Sequence, residues 1–459
     1  MDSKIIERQK PFAMRKLGFI LVLLQSVVWL SCHETPDNSI DEDGEKVEAP
    51  PTLNQPQPDL KPNSERSDDD LTSEETSAGI DKDGEKVEAT PQVNQPQPAP
   101  KPVIDTFYND FAGLYAGDTN TIKNLIDSAD WPIWMDYSKR FRKDFTRTNN
   151  ALRSGINEWR LDVLNPKIEE RLDLLYLFSG PDILYPRLFF PDASHVYMCA
   201  LEQVSPLPNY TEFSKEGVIR YQKAVQKAFY NIFGDSYYIT DYMNEDLRFT
   251  VRGVLPVMLV TAKINGGTIE EVFFFEPNEN GGINAMEGDQ EEEANGVSVR
   301  VRYPDDKVQQ YLYYSGNLGD EQYGKLMGLD SNQNLRSYFN QLPQYNSFIK
   351  AASYIPHMTQ DFSFAIDILA KSESIFQDPT GLSCSMVSQD TSRTMYVMGK
   401  MQKGCQPLHH FGWVSFDCLI AYHKEHPELK LEEPPFKFGY QKRQKQAKPC
   451  FNYQLIVKK

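Results

Sequence analysis

Between His33 and Pro102 the chain has no phenylalanine, tyrosine or tryptophan, although it holds 26 Phe, 24 Tyr and 5 Trp in all. A stretch without aromatics cannot bury enough apolar surface to offset its chain entropy, so no folded domain is expected there. Cysteine is scarce as well. Six in 459 residues are too few for a disulfide scaffold. Basic residues are outnumbered, 48 Lys and Arg against 65 Asp and Glu, for a formal charge of -17. Such a chain repels phosphate unless it segregates a basic face, and no nucleic-acid partner is expected.

The charge is unevenly spread. Residues 1–32 carry five basic and two acidic side chains (+3), and residues 33–102 carry six and 18 (-12), which leaves -8 for residues 103–459. The chain therefore divides into three different objects. In the first, Arg15 and Lys16 precede the fourteen-residue apolar run Leu17–Leu30. A spanning helix needs about 20 apolar residues, so this run suits the apolar core of a signal peptide, with Met14 as an alternative start. It ends at Trp29-Leu30-Ser31-Cys32, which resembles the lipobox of bacterial lipoproteins. That resemblance implies a signal peptide over 1–31 and lipidation at Cys32, and therefore a membrane partner reached through the anchor. The expected place is the cell envelope, the outer membrane first, with the globular part periplasmic or at the cell surface. An uncleaved anchor is the alternative.

Residues 32–102 read as a disordered acidic tether. Ile40–Pro62 and Ile80–Pro102 repeat each other at 17 of 23 positions, and residues 33–102 contain 11 of the 30 prolines. Neither copy has an apolar period on which a neighbour could stack, whereas Gln-Pro and Ala-Pro pieces favour extended polyproline conformations. Asp41 to Gly44 and Asp81 to Gly84 look like the middle of a calcium loop. Counting outward, the first ligand and the closing bidentate glutamate are both missing.

Residues 103–459 are the globular part, one domain or two close lobes. Helical spacing marks Phe107 to Tyr115 and Trp134 to Leu164, then stretches near 334–339, 348–355 and 362–375. Strand-like runs fall at 174–178, 196–201, 270–275, 297–303, 308–314 and 451–457. Residues 277–296, rich in acid, read as a disordered loop between two strands of a hairpin. Strands and helices do not alternate strictly, so the expected class is α+β with a mainly antiparallel sheet and packed helices.

Motifs for chemistry are few. Gly319 to Lys325 has phosphate-loop spacing, but Leu326 stands where Ser or Thr should hold magnesium, and Asp320 and Glu321 would repel phosphate. His409, His410, His423 and His426 cluster near Cys405 and Cys418 without the glutamate of a zinc-protease helix. No cofactor and no metal are expected. Once Cys32 is set aside, five cysteines remain; Cys384–Cys405 or Cys418–Cys450 could pair, or the thiols could be buried as small hydrophobes. An acid-free basic end runs from Lys437 to Lys459.

Phe178-Ser179-Gly180-Pro181-Asp182, Leu201-Glu202, Ile349 to His357 and Phe376-Gln377-Asp378-Pro379-Thr380-Gly381 are the most individual segments. In them the chain resembles a family of uncharacterised bacterial exported proteins with FSGPD-type, KAASY-type and QD-x-x-G-type motifs. It departs at Cys199 to Gln203, which lacks the family's glycine and proline, and at Pro379, where a second aspartate would stand. The resemblance implies no activity. On the residues alone, Ser179, Asp182, Glu202, Lys350, His357 and Asp378 are the candidate catalytic or ligand-binding set, with Lys350 and His357 on one helical face and Asp182 capping the segment after the turn. The leading expectation is a tethered binding or interaction module with a protein or small-molecule partner. The alternative is an exported hydrolase. Replacing the acylated thiol tests the anchor: Cys32→Ser is expected to abolish palmitate incorporation and release most of the protein to the soluble fraction, and a variant still acylated would overturn the lipobox reading.

Overall fold

An unbroken apolar run is what a strand covered on both faces looks like in sequence, and Asp173–Leu177 (β1) is such a strand. Leu174 and Tyr176 point into one hydrophobic core and Leu175 and Leu177 into the other. The computed structural model describes residues 105–235, 251–321, 332–400, 416–440 and 451–459. Cys32, both repeats and the whole expected tether lie outside these.

The fold is α+β, with eleven strands in one mixed sheet. After β1 come His195–Ala200 (β2), Thr268–Pro277 (β3), Ile283–Met286 (β4), Gly296–Arg302 (β5), Val308–Ser315 (β6) and Tyr345–Ile349 (β7). Ser374–Gln377 (β8), Arg393–Lys400 (β9), Lys430–Leu431 (β10) and Phe451–Lys458 (β11) complete it. Their order is β10-β9-β11-β8-β7-β1-β2-β6-β5-β3-β4. The five central strands, β8 to β6, run parallel. The expected antiparallel pairings form the wings: β6 with β5, β5 with β3 and β3 with β4 on one side, and β11 with β8 and β9 on the other.

Helices cover both faces. Thr106–Tyr115 (α1), Thr119–Leu125 (α2), Trp131–Trp159 (α3), Leu184–Phe189 (α4), Lys215–Asp235 (α5) and Leu255–Ile264 (α6) contribute to one core. Gln333–Asn340 (α7), Ser363–Lys371 (α8), Cys384–Val387 (α9) and Asp417–Glu425 (α10) contribute to the other. Asp105, Asp118 and Asn332 cap α1, α2 and α7 by accepting from backbone N–H groups two or three residues on. Asp320, from the phosphate-loop look-alike, accepts from Ser363 and Phe364 N–H at the start of α8 and pairs with Arg336. It is a cap, and Gly324 and Lys325 lie outside the described residues.

Three sequence expectations are corrected. The helix expected over 348–355 is the end of β7 followed by a loop in which Ala351, Ser353 and Tyr354 take positive φ. The one expected over 362–375 stops at Lys371, and β8 follows. Short apolar runs buried on both faces carry no period of two, so periodicity alone cannot tell them from helix. Residues 277–296, expected to be disordered, contain β4, paired with β3, and a 3-10 turn at Gly288–Glu293. In the antiparallel wing, a bulge between Ile269 and Glu271 accompanies a buried Glu270 bound by Arg300 and Arg302.

The cysteines also pair differently: Cys384 bonds Cys418, joining α9 to α10, while Cys199 is a buried free thiol. Cys405 and Cys450 lie outside the described residues. The pairing joins two short helices on one face, a proximity that spacing along the chain does not reveal. Closing a loop of 34 residues, it is expected to add about 3–4 kcal/mol of stability by restricting the unfolded chain. Denaturant unfolding of Cys384→Ser/Cys418→Ser against the unreduced parent measures this, and equal midpoints would argue against the bond.

Candidate functional site

The chain leaves β1 towards β2 on one side and leaves β7 towards β8 on the other, so β1 and β7 flank the point where the winding of the parallel strands reverses. In open parallel sheets the crevice at the carboxyl ends of such strands is where ligands bind. Five of the six candidate residues stand at these ends: Ser179 and Asp182 after β1, Glu202 after β2, Lys350 directly after β7 and Asp378 directly after β8.

Local geometry explains how they meet. Phe178 and Gly180 both take positive φ, which turns the chain sharply out of β1, and Pro181 comes next. Asp182 Oδ1 then accepts from Leu184 and Tyr185 N–H, the expected cap, and Oδ2 accepts from the Tyr176 hydroxyl at 2.7 Å. The same Oδ2 receives the Lys350 ammonium at 2.5 Å, which also sits 4.0 Å above the Tyr185 ring. Asp378 Oδ2 accepts from Ala351 N–H, and Oδ1 accepts from the Thr380 N–H and hydroxyl. Thr380 Oγ1 in turn accepts from Ala352 N–H. The carboxyl ends of β7 and β8 are thereby stitched to each other. Glu202 accepts from the Tyr313 hydroxyl at its carbonyl and at Oε2.

His357 meets this cluster through the loop after β8 rather than through its side-chain charges. It lies in the 3-10 turn Ile355–His357, hydrogen-bonded to the backbone at Pro379 and Gly381, with burial holding its pKa below the ordinary range. The expected helical face shared with Lys350 does not exist, because the left-handed residues between them break any helix. Four of the six non-glycine residues with positive φ among the described residues, Phe178, Ala351, Ser353 and Tyr354, surround this edge. Such strain collects where a site over-determines its backbone.

Sequence reasoning missed Gly439. A Cβ there would collide with Asp378 Oδ2 and touch Lys350 Cγ, so residues 436–440 lie directly over the pair. Tyr453 fixes that cover through its hydroxyl, which accepts from Phe438 N–H, and the Ser353 and Tyr440 hydroxyls meet at 2.7 Å. Its signal in the sequence is the Phe-x-Phe-Gly-Tyr spacing at the start of the basic end.

The result is a sealed site. Asp182, Lys350 and Asp378 are at most 1% exposed. Burial pulls the Lys350 pKa down, opposed by Asp182, and pushes the Asp378 carboxyl up, opposed by its hydrogen bonds and by Lys350. Ser179 Oγ donates to the Tyr176 carbonyl at 3.4 Å and also lies by the Tyr176 phenol. No described imidazole or ammonium makes a hydrogen bond to it, so among the described residues Ser179 has no base of the kind acyl transfer uses. His423 and His426 lie on or just after α10, His426 near Glu428 at 3.5 Å, and His409 and His410 fall outside the described residues. Among the described residues no three His, Cys, Asp or Glu side chains converge as a metal site. Comparison with family models, with curated proteins and with solved structures returned no match.

Removing one partner of a buried ion pair strands the other charge, at a cost of about 3–5 kcal/mol. Asp182→Asn and Lys350→Met should each lower the unfolding free energy by that order, and the double variant should recover much of it. The pH dependence has a definite sign. A lowered Lys350 pKa means the folded chain holds fewer protons than the unfolded one between the two pKa values, so stability rises with pH across that alkaline window. A raised Asp378 pKa means it holds more, so stability rises as pH falls across the acidic window. Asp378→Asn should flatten the acidic limb of a plot of Tm against pH; an unchanged limb would discard the assignment.

Proposed function

We propose that the protein is a lipid-anchored bacterial envelope protein whose α+β domain, held off the membrane on an acidic proline-rich tether, acts as a binding module. The anchor half of this reading rests on the lipobox-like Trp29-Leu30-Ser31-Cys32 and on the -12 charge and 11 prolines of residues 33–102. Seventy residues of such chain span at least about 45–50 Å as a coil, enough to carry a domain clear of a lipid surface.

One observation carries the binding half. Of the polar groups that would have to act in a hydrolase, Asp182 and Lys350 are paired with each other and buried with Asp378, and Ser179 and Glu202 bond to Tyr176 and Tyr313, whereas an open cleft among the described residues lies elsewhere, between β2, β6 and the chain after α7. A self-neutralised ion pair under a backbone cover shapes an edge. It does not offer a nucleophile, and water is excluded from it. The opposed shifts of Lys350 and Asp378 are the feature that favours the hydrolase alternative, since such shifts gather at catalytic groups.

A ligand that binds only the folded state raises Tm by mass action, by about 2.7 kcal/mol in stability at a hundredfold excess over Kd. Screening the full-length protein against a library of envelope-derived small molecules should yield compounds that raise Tm and are recovered chemically unchanged by mass spectrometry. Turnover of an ester, amide or glycoside that disappears in Lys350→Met, with folding retained, would replace binding by hydrolysis.

A further inference from the structure

On the face of the sheet away from α1 to α6, a cleft of about 360 Å³ opens between the start of β2, β6, β4 and the chain just after α7. That volume lies at the lower end of the range for small-ligand pockets, about 300–1,000 Å³. His195, Tyr197, Gln310, Tyr338, Gln341 and Leu342 are among its walls. None of the ion pairs of the sealed edge reaches it, and none of the expected site residues lines it.

Its chemistry is specific. Asp173, the first residue of β1, accepts from His195 N–H and lies 3.1 and 3.2 Å from His195 Nδ1 through its two oxygens. The carboxylate therefore claims Nδ1 and leaves Nε2 as the ring nitrogen available to a ligand. Asp173 also receives the Tyr197 hydroxyl, and the Tyr197 and His195 rings lie nearly parallel, 17° apart with centroids at 6.0 Å, forming one flat wall. Opposite, Tyr338 is 8% exposed and its hydroxyl is buried without a protein partner. A buried hydroxyl left unpaired costs free energy, and a ligand hydroxyl would satisfy it once a small shift of the Tyr338 ring brings it to the cleft surface. Gln310 and Gln341 add planar amides whose NH₂ groups already donate to Ser298 and to the Asn280 carbonyl.

No Lys, Arg, Asp or Glu lines the cleft; Asp173 behind His195 balances any charge on the imidazole, and nearby Arg300 is already paired with Glu270. An anionic ligand would meet that carboxylate, and a cationic one would find it already taken by His195 and Tyr197. Resting on the reading of the domain as a binding module, we propose that this cleft binds a neutral polyhydroxylated ring, a sugar unit, with its apolar C–H face on the His195–Tyr197 wall and its hydroxyls on His195 Nε2 and the Tyr338 hydroxyl.

The test is saturation-transfer NMR on the full-length chain with glucose, galactose, N-acetylglucosamine and glucuronic acid, followed by titration of the strongest. At least one neutral sugar should bind in preference to glucuronic acid. Leu342→Trp, which fills the cleft, should abolish the transfer. Tyr338→Phe should weaken binding about tenfold without lowering Tm, because the hydroxyl it removes is unpaired in the free protein. His195→Ala should weaken binding similarly. The proposal fails if glucuronic acid is preferred, if binding survives Leu342→Trp with the fold intact, or if no neutral sugar shows transfer. In that last case other library compounds that still raise Tm keep the binding reading alive, whereas a chain that neither binds sugars nor responds to the library loses both.

Discussion

A single ammonium sets the geometry of the sheet's carboxyl edge. Lys350 leaves β7 and Asp182 comes after the turn out of β1, and their contact ties together the two strands from which the chain winds in opposite directions. Neither charge can be left alone at that depth, so everything near them is arranged to keep them together. Tyr176 and the α4 backbone saturate Asp182, the Tyr185 ring lies under the ammonium, and Asp378 holds the adjoining backbone of β7. Gly439 adds to this closure, since only a residue without Cβ lets the chain pass over Asp378 and the Lys350 stem.

Such a device is a poor source of net stability. The cost of drying two charges approaches what they regain, and apolar groups of the same volume could serve as well. What the pair does provide is register: a β1 or β7 displaced by one residue would bury an unpaired charge. The strained backbone at Phe178, Ala351, Ser353 and Tyr354 fits that view, because the turns must deliver two side chains to one point whatever the local preference of the chain.

Legibility in the sequence tracks the physics of each signal. Strands with one regular face or clear boundaries, such as β2, β5, β6 and β11, are visible, as are the β3 and β5 hairpin and the α+β class. β7 and β8 are not, since Asn346, Ser347, Phe348 and Ile349 are all buried and offer no alternation to read. The importance of Asp182, Lys350 and Asp378 is legible because charged or turn-forming residues directly after apolar runs are unusual. That they seal one another off is not, because closure depends on Gly439, some sixty residues beyond Asp378 and on another element. The Cys384–Cys418 bond is hidden for the same reason.

His195 and Asp173 show the opposite case. In sequence they are ordinary polar residues at the starts of two strands, 22 apart. They become a pair only because β1 and β2 lie side by side and parallel, which brings the amino ends of both to one edge. At the carboxyl edge Lys350 and Asp182 are committed to each other. Near the amino ends, one imidazole nitrogen and one phenol hydroxyl are left uncommitted by the protein. The two edges of one sheet are therefore built differently: at the carboxyl ends the buried charges are paired with each other, whereas at the amino ends the Asp173–His195 pair leaves a ring nitrogen uncommitted.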